Sequence, residues 1–268
     1  DFDIADITAT SQADGSVNGT ARVQTQVPID IDWLDDFESG VGAWTTEIIN
    51  PSNWAPTEWE IGNPNPWGPG TGYLSTNCAG TNIDDLYYTR YGDITLMSPY
   101  VELGTSPPQI LSFYTWYSIR YGCDARDGGF VEINDGTGWE QIYPVGGYPD
   151  SGGMGGYDTD GFSGDSNGWE YYEFDISAYS GDIIQVRFHF ASEYCWFGYY
   201  GWYVDDVALF SPDYRCELVP EFQMDAGQAG SATQYLLTVT NKGANTDSYD
   251  LTSFNTLLPW NVNFFDMA

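Results

Sequence analysis

The side chains that could do chemistry in this chain are mostly carboxylates. Asp and Glu number 39, against 7 Lys and Arg, one His and four Cys. Adjacent acids at Asp35–Asp36, Asp84–Asp85 and Asp205–Asp206 have the residue type for glycoside hydrolysis, which needs two carboxyl groups roughly 5–10 Å apart. In so acidic a chain such pairs arise by chance, and they mark no active site. His189 is the only histidine, so a multi-His zinc centre cannot be assembled and a His-dependent nucleophile would rest on this one residue. It alternates with Phe188 and Phe190 and reads as a satisfied or sheet-surface residue of a strand. The expectation is a protein that is not an enzyme.

Calcium suits these residues better. Hard cations take several oxygen ligands, and neutralising acids relieves self-repulsion. Asp36 and Glu38 could meet Asp205 or Asp206, because the first and last strands of jelly rolls commonly lie side by side. Asp158, Asp160 and Asp165 form a second group, with the Asp-x-Asp-Gly opening of a calcium loop but without the Glu that an EF-hand has at position 12. Both groups could equally be solvated turns. The expected cofactor is structural Ca2+. Cys78, Cys123, Cys195 and Cys216 lack the paired short spacing of a zinc site and read as thiols of an extracellular protein. Cys123 with Cys195 is the expected disulfide; Cys78 and Cys216 are a possible second pair, or free. Trp54, Trp59, Trp67 and Trp196 lie in loop-like stretches and could stack on sugars, although aromatics more often fill cores and contacts.

Composition sets the frame for these elements. A net charge of −32 repels nucleic-acid phosphate and anionic lipid surfaces, so neither is an expected partner. With 11 Trp, 21 Tyr and 14 Phe the chain is far too aromatic to be a disordered acidic tail. No apolar run reaches the roughly 18 residues of a membrane span. The opening at Asp1, without Met or a basic leader, is expected of a mature or excised piece. The sequon at Asn18 is too common a pattern to decide anything.

Residues 21–33 alternate strictly, Ala21, Val23, Thr25, Val27, Ile29, Ile31 and Trp33 against polar neighbours and Pro28, which is the period of a two-faced strand. Pro28 predicts a break or an edge there. Residues 3–11 are a second short strand, and 13–19 its turn. Further strands are expected at Ile110–Ile119, Gly129–Asn134, Tyr171–Asp175, Ile183–Ala191 and Trp202–Phe210, and none of the chain keeps a helical period. The fold class is therefore all-β: a central two-sheet jelly roll over 34–211, a β arm over 1–33, and a partial Ig-like sandwich over 212–268. Strands at 235–240, 249–254 and 260–265 would open that sandwich, which is too short to be whole.

Ordered stations carry a resemblance. They are Asp36-Phe37-Glu38-Ser39-Gly40 with Trp44, Cys78-Ala79-Gly80-Thr81-Asn82, Leu96-Met97-Ser98-Pro99, and Leu111-Ser112-Phe113 with Trp116-Tyr117. Asp127 to Ile133, Trp169 with Phe174 to Gly181, Val186-Arg187-Phe188 and Gly201 to Val207 complete them. In this order they resemble the MAM-like jelly rolls of secreted proteins, the group that includes cleaved-adhesin modules of bacterial surface proteases. One departure is Ser118-Ile119-Arg120, where that family often has an acid; it weakens a cation site at that loop and leaves Arg120 to pair with Glu193 or Asp124. The two ends resemble the last strands and the first half of a secreted Ig-like domain of the type appended to glycosidases.

The resemblance implies a non-enzymatic extracellular or cell-surface protein, structural or adhesive. Its expected partners are copies of itself, or neighbouring repeats of one long chain. The arm would complement the next molecule's Ig-like half by strand addition, with Val23, Val27 and Ile29 as the buried face. The alternative is an accessory carbohydrate-binding module, or non-catalytic tail, of a larger secreted hydrolase or protease, with glycans as partners.

Overall fold

The computed structural model describes residues 2–10, 18–26, 31–50, 57–85, 87–119, 126–193, 199–212, 216–219, 238–241, 243 and 252–254. The chain divides into two compact units, Ile31–Ser211 and, from both ends of the sequence, Asp1–Asp30 with Pro212–Ala268. In chain order the strands are β1 (Phe2–Thr10), β2 (Asn18–Gln26), β3 (Ile31–Asp35), β4 (Thr45–Asn50), β5 (Trp59–Gly62), β6 (Cys78–Thr81), β7 (Asp93–Met97), β8 (Val101–Glu102) and β9 (Ile110–Ile119). There follow β10 (Gly128–Asn134), β11 (Trp139–Gln141), β12 (Gly164–Asp165), β13 (Glu170–Asp175), β14 (Ile183–Ala191), β15 (Gly201–Phe210), β16 (Cys216–Val219), β17 (Thr238–Asn241) and β18 (Thr252–Phe254). A 3-10 turn at Ser177–Tyr179 is the one helical piece among the described residues. The protein is all-β.

Unit Ile31–Ser211 is a sandwich of two antiparallel sheets. One runs β12-β9-β15-β6-β5, with β13 also on β9 and β3 also on β15; the other runs β11-β10-β14-β7-β4, with β8 on β14. The core lies between them and is aromatic. Phe188 of β14, fully buried, faces Phe113 at 5.0 Å, Trp202 at 5.7 Å, Trp44 at 6.1 Å and Trp59 at 6.4 Å between ring centres. Each such ring removed from water contributes about 1.5–3 kcal/mol. The indole of Trp202 donates to Thr115 Oγ1 at 2.8 Å, so its polar edge is satisfied within the core.

Strand β15 carries a bulge, its register against β9 shifting between Asp205 and Ala208. Asp206 sits there at φ +48°. One extra residue resets the pleat: Trp202 and Val204 face the core before it, Val207 and Leu209 after it. Asp205 is off the core face by ordinary alternation, and the bulge takes Asp206 off it as well.

The arm expected over 1–33 is divided. Ile31–Asp35 belongs to the sandwich, Ile31 opposite Phe210 and Trp33 opposite Leu209 on β15, with Trp33 packed at 5.8 Å from Trp44. In the other unit β1 and β2 form a hairpin, and β2 also pairs β18 of the same chain, Arg22 opposite Thr252 and Thr20 opposite Phe254. Val23 lies on β2, opposite Ala5; Val27 and Ile29 fall outside the described residues. Strands β16 and β17 form a separate two-stranded sheet.

Candidate functional site

The outer face of the β9 sheet carries aromatics in a row. Along β9 the pleat sends Phe113, Thr115 and Tyr117 toward the core and leaves Tyr114 and Trp116 half-buried on the outside. Tyr171 of β13 lies opposite Tyr114, their rings 5.1 Å apart. Tyr73, from the loop between β5 and β6, stacks on Tyr114 at 3.5 Å and 12°, and Trp169 meets Tyr73 edge-on at 6.4 Å. Tyr171 is 47% exposed, and its hydroxyl donates to Glu173 Oε1 at 3.0 Å. Burial pushes the Tyr114 phenol up to about 12, helped by its hydrogen bond with Tyr73 and by the charge of Asp206. It therefore keeps its proton at neutral pH. A half-exposed aromatic strip edged by carboxylates can stack on an apolar ligand face and accept its hydroxyl protons.

The loop that presents Tyr73 is held from below. Asp205, fully buried, accepts at Oδ2 from Tyr73 N at 2.7 Å and Ser75 Oγ at 3.0 Å, and at Oδ1 from Asp206 N at 2.8 Å. Glu38 Oε1 accepts from Thr76 N at 2.9 Å and Asn77 N at 2.5 Å. Gly72 is required there, because a Cβ would lie 2.6 Å from Asp205 Oδ2 and 2.1 Å from Asn77 O. Burial pushes Asp205 up to about 7, partly offset by those donors. Asp206 is raised too, by burial and then by the charge of Asp36. The fold therefore brings Asp36, Glu38, Asp205 and Asp206 to one end of the sandwich, the first two from the chain after β3 and the others from β15.

Among the described residues no three of His, Cys, Asp and Glu are grouped to hold a metal. Asp205 accepts from two backbone N–H groups and the Ser75 hydroxyl, and Glu38 Oε1 from two backbone N–H groups, which leaves the Asp36–Asp206 pair as the less committed acids. In the second group Asp158 and Asp165 are exposed, Asp160 Oδ1 accepts from Gly152 N at 3.2 Å, and Asp165 lies on β12 opposite Ser118. They close loops.

Trp59 is not a surface aromatic. It starts β5, is 4% exposed, and packs edge-on against Trp202 at 5.4 Å, so no sugar can reach its face. The density of Trp in the whole chain made its loop-like neighbourhood misleading. Trp67 is 64% exposed; Trp54 and Trp196 lie outside the described residues. Cys78 is a free, fully buried thiol, so the possible Cys78–Cys216 bridge is not formed. Burial and the nearby charges of Asp205 and Glu38 raise its pKa far above the ordinary range and leave it inert. Cys123, Cys195, Arg120 and Asp124 lie outside the described residues.

No family model matches the chain. Over 179 residues, 66% of this chain, it is 29% identical to Bacillopeptidase F of Bacillus subtilis (strain 168). It spans about a tenth of the length of that curated relative. Among solved structures it is similar to the K1 cleaved adhesin domain of Lys-gingipain from Porphyromonas gingivalis W83, 20% identical, covering 66% of this chain and 96% of that one with a TM-score of 0.40. It is also similar to the CBM22-1 xylan-binding domain of Paenibacillus barcinonensis Xyn10C, 11% identical, covering 69% and 97% with a TM-score of 0.39.

His189 lies on β14 within a buried charge network. The ring is 1% exposed, with Nδ1 2.9 Å from Glu132 Oε2 and Nε2 2.7 Å from Asp93 Oδ1. Arg187 closes on Glu132 through Nε at 2.5 Å and Nη2 at 2.8 Å, its guanidinium 4.2 Å from the Trp139 ring centre. A histidine with both nitrogens committed to carboxylates cannot take a proton from a serine. The sequence reading foresaw a satisfied histidine. It missed the partners, and it missed the strip of Tyr73, Tyr114 and Tyr171, whose one local signal is that Tyr114 falls on the off-core parity of Ile110–Ile119.

Proposed function

We propose that this chain is a non-catalytic β-sandwich module of a larger secreted protein, and that it binds neutral glycan on the Tyr73–Tyr114–Tyr171 strip. The observation that carries the reading is the strip itself: three rings in continuous contact, half-exposed, Tyr114 and Tyr171 on paired strands and Tyr73 on a loop held by the buried Asp205 and by Glu38. Preorganised aromatic faces bind at little entropic cost. A net charge of −32 favours neutral over acidic sugars. Sequence similarity to about a tenth of Bacillopeptidase F supports an accessory role, and an extracellular setting goes with it in this reading. Among the described residues no helix is long and apolar enough to cross a membrane. The test is retention of the full chain on immobilised neutral polysaccharides. Tyr171→Ala should weaken binding at least about fivefold, as loss of a contact residue worth over 1 kcal/mol does. Equal retention of both proteins, or none of the parent, overturns the reading. A structural calcium ion on Asp36 and Asp206, with Glu38 and Asp205 beside them, completes the proposal: it would join the two strand ends and hold the loop under Tyr73.

A second reading, adhesion through self-assembly, rests on the β2–β18 pair. That pair joins the two ends of one chain; exchanged between molecules it would link them head to tail. Light scattering separates the two: a polymer supports exchange, and a monomer at all concentrations rejects it.

A further inference from the structure

We infer that His189 is held as a doubly protonated imidazolium, and that this proton latches the glycine-rich strap 149–161 over the outer face of β14. The argument is a count of donors. Ionised carboxylates only accept hydrogen bonds, and a neutral imidazole has one N–H. Here two carboxylates take one ring nitrogen each, at 2.9 and 2.7 Å. Glu132 is fixed as an anion by two Arg187 donors, and Asp93 Oδ2 accepts from the Tyr157 hydroxyl at 2.9 Å. Both contacts are satisfied together only when the ring carries two protons.

Tyr157 is the strap's own residue. Its ring covers His189 at 4.9 Å and Phe130 at 5.5 Å. Beside it, Met154 and Tyr157 exchange backbone hydrogen bonds, each at 2.8 Å, and Gly155 N donates to Arg126 O at 2.6 Å. Met154 is fully buried, and a Cβ on Gly128 would lie 2.2 Å from its sulfur. The strap bends through Gly152, Gly153, Gly155 and Gly156 at φ +95°, +91°, +54° and +88°, a path that leaves the backbone little stiffness of its own. Closure therefore depends on the Met154 plug, the Tyr157–Asp93 bond and the Arg126–Asp150 ion pair at 2.5 Å at its base.

The charged and titratable groups around the ring are Asp93 on β7, Glu132 on β10, Arg187 on β14 and Tyr157 on the strap. Farther out, Glu47 of β4 lies opposite Thr95, the neighbour of His189 across β7, and Glu193 stands close to Gly156. Burial alone would depress the ring's pKa; the hydrogen bonds and charges of Asp93 and Glu132 overcome it and raise it above the ordinary value. When the proton leaves, Glu132 keeps Arg187. Asp93 is left facing a bare ring nitrogen and is relieved by swinging away with Tyr157. The latch is thus fully closed below about pH 6.5, the ordinary histidine value, and opens as pH rises through the higher folded value.

Because the full chain has one histidine, nitrogen-15 NMR reads the ring without ambiguity, and peroxide oxidation of Met154, followed by peptide mass spectrometry and normalised to the unfolded chain at each pH, reads the strap. Both ring nitrogens are expected to be protonated at pH 7. Met154 oxidation should then rise about tenfold per pH unit up to the NMR midpoint, as a one-proton switch requires. Tyr157→Phe should speed oxidation at every pH while the ring still titrates, and His189→Gln should abolish the pH dependence. A single-N–H ring at pH 7, oxidation that is flat through the midpoint, or an unchanged rate in Tyr157→Phe each overturns the latch.

Discussion

Glu132 is the hub of the buried charge network, and replacing it by Gln tests whether that network holds the β10–β14–β7 sheet together. Glu132 is 8% exposed and receives three N–H donors, two from Arg187 and one from His189. Gln is nearly isosteric but has one acceptor oxygen in place of two and turns an NH2 toward donors. Breaking one partner of a buried ion pair costs about 3–5 kcal/mol. The lower end applies here, since Arg187 and Glu132 side chains retain 13% and 11% exposure. In a unit of this size about 3 kcal/mol lowers the melting midpoint by about 6–12 °C. The assay is near-ultraviolet circular dichroism of the aromatic core during thermal melting, for Glu132→Gln, Arg187→Met and the double variant. The double should lose less than the sum of the singles by about 1–3 kcal/mol, because each single strands a charge that the other removes. A second sign follows from linkage: His189 loses a charge that raises its pKa, so the stability it confers should fade at lower pH in Glu132→Gln than in the parent. A midpoint within about 2 °C of the parent, or additive losses, would refute the reasoning.

Two other changes probe the packing and the acid cluster. Gly129→Ala sets a Cβ 2.2 Å from the Trp202 ring, in a core with no slack, and should cost about 2–3 kcal/mol as an overpacked core does; a melt unchanged from the parent would show that Trp202 can move aside. Asp206→Asn removes the repulsion with Asp36 and tolerates the left-handed backbone at φ +48°. In EGTA it should melt at or above the parent's temperature, and calcium should no longer raise its midpoint, whereas a parent indifferent to calcium would remove the proposed ion.

Local pattern settled a good deal. Alternation placed β9 and β14 at their observed ends and β15 within a residue, because a strand's pleat is written in residues two apart. Pro28, where a break or an edge is expected, lies outside the described residues. That the chain has a single histidine was readable from composition. What the sequence could not supply is whatever depends on sheet order and register. His189 meets Glu132 and Asp93, 57 and 96 residues away, only because β14 lies between β10 and β7. Tyr73 meets Tyr114 because Asp205, 132 residues beyond it, receives its backbone N–H. Trp59 and Trp67 look alike in sequence, yet one ends in the core and the other in solvent, since burial is decided by which sheet face a residue reaches. Ile31 and Trp33 continue the arm's alternation but pair with β15, a partner that local periodicity does not name.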